Sequence, residues 1–265
     1  MYEIIYFNNK ISSNHFVSST TVFEVNNSEI ENITFDDYQA LYPLPYFWVG
    51  SEFTNKAPRN YLFKESLKIS SETGLSIIGN SLSRTSFSHS MNILKLVYQV
   101  NIDQQIFDGY IDKEILLIKE KNDKLLAVYD SLLLKAKYLM TENALDFYSV
   151  SFKDFKERKL KAVDLSSFGQ EREIGFHEIS IVEVPVDFDV LLIKLPLPST
   201  VKEWPEIRIS NEYLDNHKFN VEDYLFRIDA AYMYVQIPYS EIKSKKFKLL
   251  FESEMKKHKA TLYFK

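Results

Sequence analysis

Several stretches alternate apolar and polar residues with a period of two, the spacing of a strand with one face on a core. Leu94, Leu96, Tyr98, Val100 and Ile102 fall on one face, opposite Lys95, Gln99 and Asn101. Ala231, Met233, Val235 and Ile237 oppose Tyr232, Tyr234 and Gln236, and Ala260, Leu262 and Phe264 oppose Lys259, Thr261, Tyr263 and Lys265. Continuous apolar runs over Tyr2–Phe7, Glu178–Val184 and Val190–Leu195 predict strands buried on both faces. One segment carries the helical period: Leu125, Val128, Tyr129, Leu132, Leu133, Ala136, Leu139 and Met140 recur every three or four residues. Asn122 or Asp123 could cap it, and a hairpin of Glu114–Lys119 with Lys124–Val128 is the competing reading. Shorter helices are predicted from Thr34, with Asp37 as capping partner, burying Tyr38 and Leu41 and stopping before Pro43, and from Ser210, presenting Tyr213 and Leu214. The expected fold class is therefore α+β, mainly antiparallel sheet with a few helices.

Gly is scarce at 6 residues, so tight turns fall to Asn, Asp, Ser and Pro. The Ser-rich run Ser66–Ser90 reads as a long surface loop. Ser166–Gln170 is the best boundary signal, dividing an N-terminal half (1–168) from a β-rich C-terminal half (169–265) packed against it. Pro196, Pro198 and Pro205 predict an extended connection, and no internal repeat is present.

Charge changes the picture most. From Glu171 to Ile242 there are 14 acids against 6 bases, and from Lys243 onward 8 Lys against 2 acids. The basic end reads either as a phosphate-binding patch or, more simply, as the ionic partner of the acidic stretch ahead of it. A net charge of −5 disfavours a general nucleic-acid binder. No Cys is present, which removes disulfides, thiolate catalysis and Cys-based metal sites and suits a reducing cytoplasm. The N-terminus lacks the pattern of a signal peptide, and no apolar run is long enough for a membrane helix.

Motifs with a chemical mechanism are missing. Gly74–Gly79 is one residue too long for a hydrolase elbow, and no Gly-rich phosphate loop occurs. None of the five His sits three or four residues from another, so no helical metal pair forms. The nearest enzymatic string is Asp187-Phe188-Asp189 followed by Lys194. A metal-dependent nuclease of the restriction type wants an acid two residues before that Lys, where Leu192 stands. No catalytic residue, metal ligand or cofactor is expected.

The acidic stretch interleaves carboxylates with large aromatics, the composition of a surface that docks on a basic protein. Its expected partner-binding residues are Asp187, Asp189, Glu203, Trp204, Glu206, Tyr213, Glu222 and Asp223. The acidic, Cys-free, aromatic-rich chain without catalytic motifs resembles the stand-alone immunity proteins of bacterial polymorphic-toxin systems. The run Trp204-Pro205-Glu206-Ile207-Arg208-Ile209-Ser210-Asn211-Glu212-Tyr213-Leu214 also resembles a strand followed by a capped helix in several such families. The resemblance implies a cytoplasmic protein that binds a cognate, basic toxin one-to-one and occludes it without turnover. A metal-dependent nuclease and a structural or scaffold subunit are the alternatives.

Overall fold

The computed structural model describes residues 33–45, 60–78, 86–102, 104–121, 129–142, 144–169, 171–184 and 188–265. The strand expected over Tyr2–Phe7 lies outside them. The fold is α+β, with strands β1 to β14 in three mostly antiparallel sheets among the described residues. The chain forms two compact units. The first includes Ile102–Lys159; the second joins Arg84–Asn101 to Leu160–Lys265.

The first unit is one mixed sheet in the order β2-β1-β3-β5-β4, from β1 (Tyr38–Leu44), β2 (Ser76–Ile77), β3 (Glu114–Glu120), β4 (Lys137–Glu142) and β5 (Leu145–Val150). β1 runs parallel to both β2 and β3, while β3–β5 and β5–β4 are antiparallel. Parallel neighbours need a crossover, and the helix Asn60–Thr73 lies between β1 and β2 in the chain. Its buried stripe is Leu62, Ser66 and Ile69, packed into a core that includes Leu41, Leu116, Ile118 and Phe147. This corrects the loop expected from Ser66. The hydroxyls of Ser66 and Thr73 donate back to the carbonyls of Leu62 (2.6 Å) and Ile69 (2.7 Å), so the helix itself satisfies these polar side chains.

Two further expectations are corrected here. Thr34 leads into a single 3-10 turn, Phe35–Asp37, and the chain then extends as β1 straight through Pro43. Tyr38 and Leu41 are buried as strand residues, between two parallel neighbours. The long helix over Leu125–Met140 reduces, among the described residues, to the turn Asp130–Leu133 followed by β4; Leu125 and Val128 lie outside them. Cross-strand partners override the helical period there: Tyr138 faces Tyr148 with ring centroids 5.5 Å apart, and Thr141 Oγ1 donates to Asp146 at 2.6 Å. β3 pairs with β5, and Lys124–Val128, its partner in the competing hairpin, lies outside the described residues.

The second unit holds two antiparallel sheets. β6 (Glu171–Gly175), β8 (Val190–Pro196), β11 (Leu225–Ile228), β12 (Tyr232–Pro238) and β14 (Lys259–Phe264) form one, in the order β11-β12-β8-β14-β6. β7 (Ser180–Glu183), β9 (Glu206–Ser210), β10 (His217–Phe219) and β13 (Lys246–Glu252) form the other, in the order β10-β9-β13-β7. Each follows the two-residue period, burying Ile207, Ile209, Phe247, Leu249 and Phe251 on one sheet and Leu191, Ile193, Met233, Val235 and Leu262 on the other. β8 is also buried on its second face, where Leu192, Tyr234 and Tyr263 pack beneath Val163, Leu165, Phe168 and Phe226. The Ser166–Gly169 segment is thus inside the second unit, and the units divide between Lys159 and Leu160.

The predicted β8, β12 and β14 are observed. β7 is observed too, but as an edge strand: Ile179 and Ile181 are exposed, so it is not buried on both faces. Of the strand expected over Leu94–Ile102, Leu94–Tyr98 is helix instead, and the chain extends again from Gln99, which bridges to Ile228. The helix Phe87–Tyr98 begins at Ser86, whose Oγ accepts from the His89 amide (3.3 Å). Its buried residues Ser90, Met91, Leu94, Val97 and Tyr98 recur every three or four positions, a stripe that starts upstream of the alternating run.

On the second face of β12, the Tyr234 hydroxyl donates to Asp229 at 2.8 Å. Burial, followed by the Asp229 carboxylate, pushes this phenol well above its ordinary value. A raised phenol pKa favours the folded state fully below the unfolded value near 10, and that contribution is lost as pH rises toward the folded value. Above that pH, stability is expected to fall more steeply in the wild type than in Tyr234→Phe. Urea unfolding across an alkaline series checks this, and equal slopes would exclude Tyr234 as a contributor.

Candidate partner-binding surface

Part of the acidic stretch is paired with the basic C-terminal strands: Glu173 and Glu183 each meet a lysine from them. β13 lies between β7 and β9, and β14 lies beside β6. Lys246 therefore reaches Glu183 at 3.5 Å and Lys259 reaches Glu173 at 2.7 Å, while Arg208 on β9 meets Glu252 on β13 at 2.8 Å. Lys202 meets Glu254 at 3.7 Å. These exposed pairs add little stability each, about 0–1 kcal/mol. Their consequence is electrostatic: they mix charges that are segregated along the sequence at Glu173, Glu183, Glu252 and Glu254.

The expected contact residues divide between two ends of β9. Glu203, Trp204 and Glu206 stand at its start. Glu203 accepts from the amide and hydroxyl of Ser199, both at 2.7 Å, and these bonds hold its carboxyl below the usual range. Glu206 is half-buried and paired to both Lys218 (2.5 Å) and Arg208; burial opposes its ionisation, but these cations prevail and lower its pKa. Trp204 is half-buried behind the 3-10 turn Val201–Glu203. Glu203 and Glu206 are thus engaged in local structure.

Tyr213 stands beyond the other end of β9, about 17 Å away at strand spacing. The helix expected from Ser210 is replaced by a turn built on Asn211. The Asn211 side-chain oxygen accepts from the amides of Tyr213 (2.8 Å) and Leu214 (2.9 Å), its own amide donates to Leu214 O, and its side-chain nitrogen donates to Ile242 O (2.8 Å). Asn216, with φ 48°, closes the loop by donating to the Ser210 hydroxyl. An Asx turn competes directly with helix initiation, so the strand of the immunity-like run forms and its helix does not.

This loop presents Tyr213 at 64% exposure, with Glu212 and Asp215 also exposed. The Asn211–Ile242 bond ties it to the one-turn helix Tyr239–Ile242, which carries exposed Glu241. The Tyr239 amide donates to the carbonyl of Asp189 (2.8 Å), itself exposed at the start of β8. Glu212 foremost raises the Tyr213 phenol pKa. Tyr224, on the short helix Val221–Tyr224 that also carries Asp223, has its phenol raised by burial first and then by Glu241 and Asp223. Asp189, Tyr213 and Asp223 therefore share one end of the unit with Glu212, Asp215, Tyr224, Tyr239 and Glu241. Among the described residues, no ion pair reaches Asp189, Glu212, Asp215 or Glu241. Asp187 and the Glu222 side chain lie outside what the structure describes.

Glu241 falls within the acidic stretch but was not among the expected contact residues, and Tyr239 has no local signal beyond the strand end at Pro238. The nuclease arrangement is not assembled either. Asp189 and Lys194 stand at opposite ends of β8, roughly 16 Å apart at strand spacing, and Lys194 lies 4.0 Å over the Tyr232 ring. Among the described residues, no group of three or more His, Asp or Glu comes together as a metal site, and no helix is long and apolar enough to cross a membrane. Comparison with protein-family models, curated proteins and solved structures returns no match.

Proposed function

We propose that this is a non-enzymatic binding protein that docks a basic protein through the acidic, tyrosine-bearing end of its second unit. The observation that carries the reading is Tyr213, held exposed on a loop hydrogen-bonded at both flanks, beside Glu212 and at an end of the unit where, among the described residues, Asp189, Asp215 and Glu241 also have no ion pair. A preorganised aromatic lowers the entropy cost of binding, and aromatic anchors dominate interface energetics. The surrounding charge accelerates encounter with a basic surface and selects against acidic ones. The resemblance to immunity proteins adds the partner class: a cognate bacterial toxin, occluded one-to-one in the cytoplasm.

The test uses the protein encoded beside this chain in its native host, which is expected to carry a toxin domain. Tyr213→Ala is expected to speed dissociation about 30-fold. The triple change Glu212→Lys, Asp215→Lys, Glu241→Lys is expected to slow association about tenfold at low salt and much less at high salt. Failure of both variants to alter binding would remove this surface from the account. Absence of any complex with the wild-type chain would remove the function itself.

A further inference from the structure

Among the described residues of the first unit, Arg158 is buried and Lys119 is largely so, and the chain treats the two cations differently. Lys119 on β3 has its own carboxylate, Asp146, at 2.9 Å. Arg158 has none among the described residues. It follows the helix Phe152–Lys156 and is 5% exposed, while the neighbouring Glu157 is exposed. Its guanidinium lies 5.0 Å over the Phe155 ring, with the buried phenols of Tyr42 and Tyr129 alongside. Tyr42 is held there edge-on to Phe155, ring centroids 5.6 Å apart. Nη2 of Arg158 has no hydrogen-bond partner.

A ring face attracts a cation but offers no lone pair in the direction of an N–H bond. A guanidinium does not discharge in a protein, so burial cannot neutralise it as it can a lysine. Buried charge without a counter-charge is therefore a standing cost to the fold. Burial also presses the Arg158 pKa downward, consistent with a cation short of partners. The missing chemistry is a small anion with in-plane lone pairs, which a guanidinium fork binds through paired hydrogen bonds. Two phenols beside the fork can supply further donors.

We infer that Arg158, with Tyr42 and Tyr129, forms an internal receptor for a small oxyanion, a carboxylate or a phosphate group. The site belongs to the first unit and is independent of the docking surface on the second.

Thermal unfolding of the full chain, titrated with inorganic phosphate, acetate or chloride at constant ionic strength, tests this. At least one oxyanion is expected to raise the Tm with the logarithm of its concentration above its Kd, by roughly 5 °C at a 100-fold excess. Phosphate or acetate acting alone identifies the source of the anion. Arg158→Met is expected to abolish the response while being no less stable than the wild type without anion. Should that variant fail to fold, Tyr42→Phe and Tyr129→Phe keep the packing and remove one donor each. At least one of them is expected to weaken the oxyanion about tenfold. Chloride matching the oxyanions, an equal response in Arg158→Met, unchanged affinity in both phenylalanine variants, or no oxyanion-dependent rise in the Tm of the wild type would each overturn the assignment.

Discussion

Asp146→Ala is expected to destabilise the first unit by about 3–5 kcal/mol, because it strands a buried ammonium. Lys119 and Asp146 face each other across the β3–β5 pair, 2.9 Å apart, with side chains only 12% and 10% exposed. The pair is extended on both sides. Lys119 also donates to the carbonyls of Glu120 and Lys121 at 3.3 Å, and Asp146 accepts from Thr141 Oγ1 at 2.6 Å, which in turn shares a hydrogen bond with the Tyr138 hydroxyl. Removing the acid thus breaks a network that links three neighbouring strands. Replacing both partners with apolar residues, Lys119→Met with Asp146→Leu, is expected to recover most of the loss, since neither charge then remains to be desolvated. Amide hydrogen exchange of peptides covering β3 and β5 reads the effect within this unit. A double variant as unstable as Asp146→Ala would mean that hydrogen-bond geometry, rather than the stranded charge, dominates.

Phe251→Ala is expected to cost the second unit a similar amount, about 3–5 kcal/mol, by a different mechanism. Phe251 is fully buried on β13, opposite Ile207 of β9, and its ring lies 5.5 Å from that of Phe176 on the β6–β7 connection. The backbone at this position also accepts from the His177 amide at 2.8 Å. Deleting the ring leaves a cavity beneath strands held rigidly by their ladders, which cannot collapse to fill it. The chain has two tryptophans, so in a Trp48→Phe background Trp204 alone reports unfolding of this unit. Urea midpoints with and without Phe251→Ala give the difference, and Phe251→Leu is expected to lose less than half as much. A midpoint unchanged by the alanine would show that Phe251 is not part of the cooperative core.

The C-terminal strands were legible because their local pattern agrees with their environment. β12 and β14 alternate strictly, and each has one face on the main core. Where two periods coexist, the local signal misleads. Leu94–Ile102 fits an alternating pattern, yet Ser90, Met91, Leu94, Val97 and Tyr98 fit a helix as well, and the Ser86 cap decides between them. Lys137–Glu142 fits the tail of a helical stripe, yet β5 offers it Tyr148 and Asp146 as cross-strand partners. The serines of Asn60–Thr73 suggested a loop because a hydroxyl in the buried stripe looks unsatisfied until the helix carbonyls are there to accept from it.

The docking surface shows the same division. Acid and aromatic enrichment over Glu171–Ile242 directed the proposal to this half of the chain. It could not show which carboxylates are consumed. Glu173 and Glu183 are engaged by lysines far along the chain and Glu206 by nearby Arg208 and Lys218, whereas, among the described residues, no ion pair reaches Asp189, Glu212 or Glu241. Arg158 carries no sequence signal at all, since a lone arginine after a short helix is ordinarily at the surface.

Composition and period alone determined the α+β class, the strands that alternate cleanly, and the absence of recognisable catalytic motifs. Tertiary structure alone decided which charges survive uncompensated, which ambiguous stretches became helix or strand, and where a cation sits without a counter-ion. The reason is physical: secondary-structure period is a property of neighbours a few residues apart, whereas ion pairing and burial depend on strand register. Register brings Lys259 against Glu173 and Lys246 against Glu183.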